Sequence, residues 1–91
     1  MDFEYYSHIF KALSHPLRLQ IACGLLMKDE CNVSKMVEKL GVSQPTVSQH
    51  LNILKNAGII QNQRKGTQIC YRVINEKVKS IIKSMEINLC E

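Results

Sequence analysis

The sequence contains four cysteines, and the thiol is the side chain in it best suited to reactive or metal-binding chemistry. They are Cys23, Cys31, Cys70 and Cys90. Their wide separation provides neither a C-x-x-C motif nor a cysteine–histidine pair at zinc-finger spacing, so we expect no structural zinc site and no cofactor. No export signal opens the chain, so we expect a cytoplasmic protein with reduced thiols, in which any disulfide is transient and sensing.

The second chemically informative feature is a long stretch without acidic residues. The 91 residues carry 12 Lys and Arg against 8 Asp and Glu, which gives a net charge of +4. No Asp or Glu lies between Lys39 and Asn75, whereas this stretch contains the basic residues Lys39, Lys55, Arg64, Lys65 and Arg72. Cations without neighbouring carboxylates are suited to replace the counterions of DNA phosphates, so the stretch favours nucleic-acid binding.

The elements that would position these side chains follow from apolar periodicity and capping residues. The spacing predicts helices over about 3–12, 15–27, 35–40, 44–56 and 76–89. The predicted N-caps of the last four are Ser14, Ser34, Ser43 and Asn75. Two β-prone runs, 59–64 and 67–73, flank Lys65-Gly66 and predict a hairpin.

Side-chain placement in the second strand also follows from its alternation. Ile69, Tyr71 and Val73 are predicted to share the buried side, which turns Cys70 the other way and leaves it free to be exposed. We expect Cys31 and Cys70 to be structural residues, because an unreactive cysteine behaves as a small hydrophobe.

The predicted order is helix, helix, helix, helix, hairpin, helix, which is a winged helix-turn-helix, mainly α with a two-stranded β-wing. We expect residues 1–91 to form this single domain, since the length leaves no room for a second one. Length and apolar pattern exclude a large self-contained enzyme, a membrane protein and a secreted scaffold. The first helix carries Phe3, Tyr6 and Phe10 on one stripe, and the last helix is similarly striped, so both favour a partner surface.

The fourth helix and the hairpin together predict a DNA-binding surface. Amide and hydroxyl side chains at a helix start suit base edges and phosphates in a major groove. The predicted contacts are Ser43, Gln44, Thr46, Ser48, Gln49, His50, Arg64, Lys65 and Thr67. We expect Arg64 and Lys65 mainly to set the salt dependence, and the residues of the helix to set sequence preference. His50 is expected to pack or to contact phosphate rather than to bind a metal. The alternative is a solvated polar face without a ligand.

Three stretches of the sequence resemble the ArsR/SmtB family of repressors. Residues 42–51 (VSQPTVSQHL) with 57–60 (AGII) resemble its recognition helix, residues 11–18 (KALSHPLR) its first interhelical link, and residues 64–66 (RKG) with Tyr71 its wing. The resemblance covers almost the whole chain. It implies a homodimer, joined through the first and last helices, that binds an operator and releases it when an inducer arrives.

The resemblance also bears on the inducer. Members that sense arsenite or soft metals at the third helix carry a Cys-Val-Cys type pattern, where this sequence has Asn32-Val33-Ser34. Members with zinc on the last helix use paired histidines and carboxylates, and this helix contains no histidine. Residues 19–26 and 89–91 instead resemble a dithiol subgroup, the SqrR, BigR and HlyU type. It implies that Cys23 and Cys90 sense reactive sulfur species or oxidants through a disulfide or sulfur-bridged crosslink, within one subunit.

Several alternatives remain open on the residues alone. Cys23 could be an ordinary core residue and Cys90 an incidental thiol near the chain end. The cysteines could instead form a thiolate site for arsenite, copper(I) or another soft ion. A constitutive DNA-binding protein would respond to no thiol reagent. A small thiol enzyme such as a peroxidase is disfavoured, because no His or Arg accompanies Cys23 or Cys90 in the local sequence.

Overall fold

The computed structural model describes residues 1–28 and 31–85 of the chain. Its elements follow in the order α1 (Phe3–Leu13), α2 (Pro16–Met27), α3 (Val33–Leu40), α4 (Gln44–Asn56), β1 (Ile60–Lys65), β2 (Gln68–Val73) and α5 (Glu76–Ser84). β1 and β2 pair antiparallel, from Ile60 opposite Val73 to Lys65 opposite Gln68. The predicted order of helices and hairpin is confirmed, and positions 86–89 of the last predicted helix lie outside the described residues.

Side-chain caps determine where the helices begin. Ser43 and Asn75 cap α4 and α5 as predicted, by accepting from the amides of Thr46 and Val78. The predicted caps Ser14 and Ser34 are wrong.

Two other side chains cap α2 and α3. Pro16 occupies the first helical position of α2, so the preceding residue, His15, is the N-cap. Its imidazole accepts a hydrogen bond from Leu17 N at 3.1 Å. Asn32 caps α3 by accepting from Ser34 N at 2.8 Å, so this helix begins two residues before the predicted start. Ser14 ends α1 instead, where its hydroxyl donates to Lys11 O at 2.9 Å.

The core is built around α2, whose surface is apolar on nearly every side. Its buried residues include Ile21, Ala22, Cys23 and Leu25, and the predicted inner stripe of α4 packs with them. That stripe and the buried residues of α3 and α5 are Val47, Leu51, Leu54, Met36, Val78 and Ile82. One continuous cluster therefore joins the helices to the base of the hairpin, where Ile60 and Val73 are also buried.

Two members of the aromatic stripe predicted for α1 lie on the outside of the subunit, and the third, Tyr6, is half-buried. Phe3 is 74% exposed and Phe10 is 55% exposed, whereas Ile9, Ala12 and Leu13 enter the core. The aliphatic side chains of α1 pack into the core, and the larger side chains of Phe3 and Phe10 lie on the opposite face of the helix. At the start of the same helix, Tyr5 Oη accepts from Asn75 Nδ2 at 2.7 Å, which ties α1 to the cap of α5.

The side-chain alternation predicted for β2 is partly wrong. Val73 is buried, but Ile69 is 43% exposed and Cys70 is only 5% exposed. The cause is the segment before α3, which runs beside β2: Asn32 forms an isolated antiparallel bridge with Cys70, and Tyr71 N donates to Cys31 O at 3.2 Å. This segment covers Cys70, while Ile69 lies close to the exposed tip. Among the described residues, no helix is long and apolar enough to span a membrane.

Candidate nucleic-acid interface

A turn of three residues, 41–43, joins α3 to α4. Gly41 adopts a left-handed backbone conformation (φ 68°) that side chains disfavour, and its N–H donates to Val37 O at 3.0 Å. Ser43 returns to an extended conformation and starts α4. The turn therefore fixes the angle at which α4 leaves α3, which is the geometry of a helix-turn-helix.

The first turns of α4 carry the side-chain amides that the sequence predicts to contact DNA. Gln44 and Gln49 are exposed, while Thr46 and Ser48 are half-buried. The hydroxyls of Ser43 and Thr46 lie 2.9 Å apart and hydrogen-bond to each other, so they serve first to form the helix start. Gln44 and Gln49 are the longer side chains that reach outward, and an amide can both donate to and accept from a base edge.

His50 lies on a different side of α4, against the corner between α1 and α2. Its Nδ1 accepts from Arg18 Nη1 at 3.2 Å, and its ring centroid lies 4.5 Å from that of His15. Arg18 Nε also donates to Ala12 O at 2.6 Å. Burial lowers the pKa of His50, and the charges of His15 and Arg18 lower it further, which favours the neutral ring that this contact requires.

The contribution of Arg18 and His15 to holding α4 was not found from the sequence. Both residues lie in the stretch 11–18 that resembles the first interhelical link of the ArsR/SmtB family. Nothing in that stretch indicates that it contacts His50. A DNA contact by His50 stays a prediction, and the structure gives this side chain a positioning role.

The hairpin carries the basic residues of the interface. Arg64 pairs with Ile69, Lys65 pairs with Gln68, and Gly66 (φ 63°) makes the turn between the strands. Arg64, Lys65 and Thr67 are all exposed, as a wing that reaches a phosphate backbone requires.

Backbone hydrogen bonds connect α4 directly to the base of this hairpin. After Asn56 the chain turns at Gly58 (φ 76°), and Ile59 N donates to Leu54 O at 3.0 Å. Ile74 N then donates to Ile59 O at 2.9 Å and closes the base of the hairpin. The helix and the wing are therefore parts of one hydrogen-bonded unit, and the side chains of both lie on a stretch without carboxylates.

The structure brings together a cysteine pair that was not predicted to bond. Cys31 and Cys70 form a disulfide with a Cα–Cα distance of 4.7 Å. Cys23 is 1% exposed in the middle of α2, beside an apolar cavity of about 160 Å³ lined by Pro16, Leu19, Gln20 and Cys23. Cys90 lies outside the described residues, so the pairing of Cys23 with Cys90 stays a prediction. Within residues 1–28 and 31–85, no His, Cys, Asp and Glu cluster could hold a metal ion.

Known regulatory proteins resemble this chain in sequence. The family model for the bacterial regulatory protein, arsR family, matches residues 15–62. An uncharacterized HTH-type transcriptional regulator of Methanocaldococcus jannaschii is 40% identical over 84 residues, 92% of this chain and 94% of that protein. The biofilm growth-associated repressor of Agrobacterium fabrum is 38% identical over 82 residues, 90% of this chain and 69% of that protein.

Solved structures agree with the fold. HlyU from Vibrio cholerae superposes with a TM-score of 0.85 at 27% identity, covering 100% of both chains. A homodimeric winged helix-turn-helix DNA-binding domain from Mycobacterium bovis gives a TM-score of 0.79 at 30% identity, covering 92% of this chain and 77% of that one.

Proposed function

This chain belongs to the arsR family of bacterial regulatory proteins, and from that premise we propose that it represses transcription by binding operator DNA as a homodimer, in a manner controlled by its thiols. Residues 1–91 act in this proposal as one DNA-binding domain of a cytoplasmic regulator. The observation that carries it is the pairing of exposed amides on α4 with exposed cations on the wing, in a stretch without acidic residues.

The division of labour within the interface follows from side-chain chemistry. In this proposal Gln44 and Gln49 read base edges, and their exposure near the start of α4 supports that role. Arg64 and Lys65 contact phosphates, which contributes affinity without sequence information. The direct connection of α4 to the hairpin lets both contacts form together.

Dimerisation is supported by the exposed face of α1. Phe3 and Phe10 share one face of the helix, where they are 74% and 55% exposed, and large apolar side chains exposed together mark a contact surface. The related domain from Mycobacterium bovis is a homodimer. Two copies joined through α1 and α5 would present two α4 helices to successive major grooves.

Thiol control is supported by the position of Cys23. This residue lies in the central helix, and a crosslink from it to Cys90, which follows α5, would join the core to the dimerisation helix. The likeness to HlyU, of which a reduced form from Vibrio cholerae is also among the similar structures, fits a redox-dependent regulator. A small oxidant or polysulfide has an approach to Cys23 through the cavity beside it. A coupling of about 1–3 kcal/mol would lower DNA affinity roughly 5–150-fold.

The test begins with selection of duplexes from a random-sequence pool by the reduced protein. We expect enrichment of one sequence with approximate two-fold symmetry, because a homodimer reads two half-sites. Selection of no sequence would contradict operator binding.

The second stage measures fluorescence anisotropy of the selected duplex before and after treatment with polysulfide. We expect the parent protein to lose affinity, while Cys23→Ser and Cys90→Ser bind normally and show no loss of affinity. Cys90→Ser is the matched variant that leaves the buried position in α2 intact. A loss of affinity that persists in both variants would contradict the role of this pair.

A further inference from the structure

The disulfide between Cys31 and Cys70 joins two parts of the DNA-binding unit that lie far apart in sequence. Cys31 precedes α3 and Cys70 lies in β2, 39 residues later. The covalent loop thus encloses α3, the turn, α4 and β1, which together carry nearly all of the predicted DNA contacts. We therefore expect formation or reduction of this disulfide to affect the predicted DNA contacts directly.

Backbone hydrogen bonds also hold the segment at Cys31 against β2, in addition to the disulfide. Tyr71 N donates to Cys31 O at 3.2 Å, and Asn32 bridges to Cys70. The Cα–Cα distance of 4.7 Å falls within the range of disulfides, so the backbone places the two cysteines close enough to bond. Asn32 also caps α3, which means that the segment held against β2 sets the start of the helix-turn-helix.

Exposure differs between the two sulfur-bearing residues. Cys31 is half-buried, whereas Cys70 is 5% exposed beneath the segment that covers β2. A reagent from solvent therefore reaches Cys31 first, and Cys70 is placed to react with whatever forms there. An accessible thiol beside a covered one is the arrangement of a reacting and a resolving cysteine.

We propose that Cys31 and Cys70 form a reversible oxidation site for hydroperoxides, and that their disulfide strengthens DNA binding by fixing the wing against the start of α3. The DNA effect rests on the proposed function, whereas the sulfur chemistry does not. This site is separate from Cys23 and Cys90, and its effect on DNA affinity has the opposite sign.

The reaction proceeds in two balanced steps. The thiolate of Cys31, having lost its proton to solvent, attacks one oxygen of the hydroperoxide, the O–O bond breaks, and the other oxygen leaves with a proton as an alcohol or water. Cys31 is then a sulfenic acid. The thiolate of Cys70 attacks this sulfur, the S–S bond forms, and hydroxide leaves with the proton of Cys70 as water. The peroxide is reduced by the two electrons that the thiols lose, and a cellular dithiol reverses the change by thiol–disulfide exchange.

The direction of the DNA effect follows from preorganisation. In the reduced form, only hydrogen bonds hold the segment at Cys31 to β2, and the wing keeps freedom that DNA binding must remove. The disulfide removes this freedom before binding, so less of it is lost in the complex. We expect the oxidised form to bind the selected duplex at least about fivefold more tightly, the lower end of ordinary coupling between sites.

The experiment uses the full chain carrying Cys23→Ala and Cys90→Ser, which removes the other dithiol while keeping a small apolar side chain in α2. Hydrogen peroxide is the probe, peptide mass mapping reports the linkage, and anisotropy reports affinity for the duplex. We expect a peptide linking Cys31 to Cys70 and a gain of affinity that a dithiol reductant reverses. Adding Cys31→Ser should abolish both, with unchanged affinity in the reducing buffer.

The outcomes separate the two ideas. Absence of the linked peptide after peroxide overturns the oxidation site, and a linked peptide with unchanged or weaker DNA binding overturns its role in affinity. Failure of the reduced chain to select DNA contradicts the proposed function, while peptide mapping still decides the sulfur chemistry. If the double variant does not fold, mapping of the parent protein distinguishes a link of Cys31 to Cys70 from a link of Cys23 to Cys90.

Discussion

His50 connects α4 to the rest of the subunit through a contact that depends on protonation. The neutral ring accepts from Arg18 at 3.2 Å and lies beside His15. A proton on Nδ1 would remove the acceptor and place a cationic ring against the guanidinium of Arg18 at this corner of α1, α2 and α4. The contact between α4 and Arg18 therefore depends on keeping this imidazole neutral.

This arrangement predicts a loss of stability in mild acid. Because burial first, and then His15 and Arg18, lower the pKa of His50 below its ordinary value of 6.5, the unfolded chain binds the proton more readily than the folded one. The stabilisation is complete above 6.5 and is lost as the pH falls from there through the folded pKa. Urea denaturation across this range should show the dependence, and His50→Gln, which keeps an acceptor but does not titrate, should reduce it. An equal slope in His50→Gln would contradict this assignment.

The exposed amides of α4 predict a change in sequence preference. Replacing Gln49 by alanine should cost about 1–3 kcal/mol of discrimination at the base pair that it reads, with a smaller effect on unrelated DNA. Gln44→Ala tests the other amide. Gln20→Ala is the matched control, since this exposed glutamine lies on α2 outside the interface. Competition binding with single-base variants of the selected duplex measures the effect, and a uniform loss over all duplexes would contradict base reading.

At the scale of elements, the wing predicts a measurable salt dependence. Arg64 and Lys65 are exposed near the hairpin tip, and each cation that contacts a phosphate releases counterions on binding. Replacing either by alanine should reduce the slope of log affinity against log salt by about 1, without changing the preferred sequence. The control is Lys83→Ala, which removes an exposed cation from α5. Anisotropy titrations over a range of salt decide this, and an unchanged slope would place both residues away from the DNA.

The covalent loop that encloses α3, α4 and β1 predicts a large effect on stability. Closing a loop of 39 residues reduces the entropy of the unfolded chain by an amount equivalent to about 4 kcal/mol. The oxidised parent should therefore resist urea more strongly than Cys31→Ser, which cannot close the loop. Both should show equal stability under reducing conditions, apart from the cost of the substitution itself, and equality under oxidising conditions would contradict the linkage.

The elements that could be predicted from sequence are those with local signals. The caps Ser43 and Asn75 and the hairpin turn each depend on a few neighbouring residues, and all are confirmed. The contacts that were missed join distant parts of the chain. Nothing near Cys70 indicates that Cys31 covers it, and nothing near His50 indicates Arg18, because periodicity carries no information about which element packs opposite.

For the whole molecule, the exposed face of α1 predicts that assembly is separable from folding. Phe3 and Phe10 contribute little to the core of their own subunit, so Phe3→Glu and Phe10→Glu should leave the subunit folded. Burying a phenylalanine is worth about 1.5–3 kcal/mol, so each change should weaken dimerisation at least about tenfold. Sedimentation velocity measures this, with Ile69→Glu on the wing as the control. A dimer that survives both changes would place the contact elsewhere.

The hydrogen bond between Tyr5 and Asn75 gives α1 a short connection to the wing. β2 ends at Val73, Ile74 bonds to Ile59 at the base of the hairpin, and Asn75 both caps α5 and binds the first turn of α1. A single residue thus lies between the wing and the place where α1 and α5 meet. Because only Ile74 separates the wing from the cap of α5, we expect a displacement of the terminal helices to change the tilt of the wing.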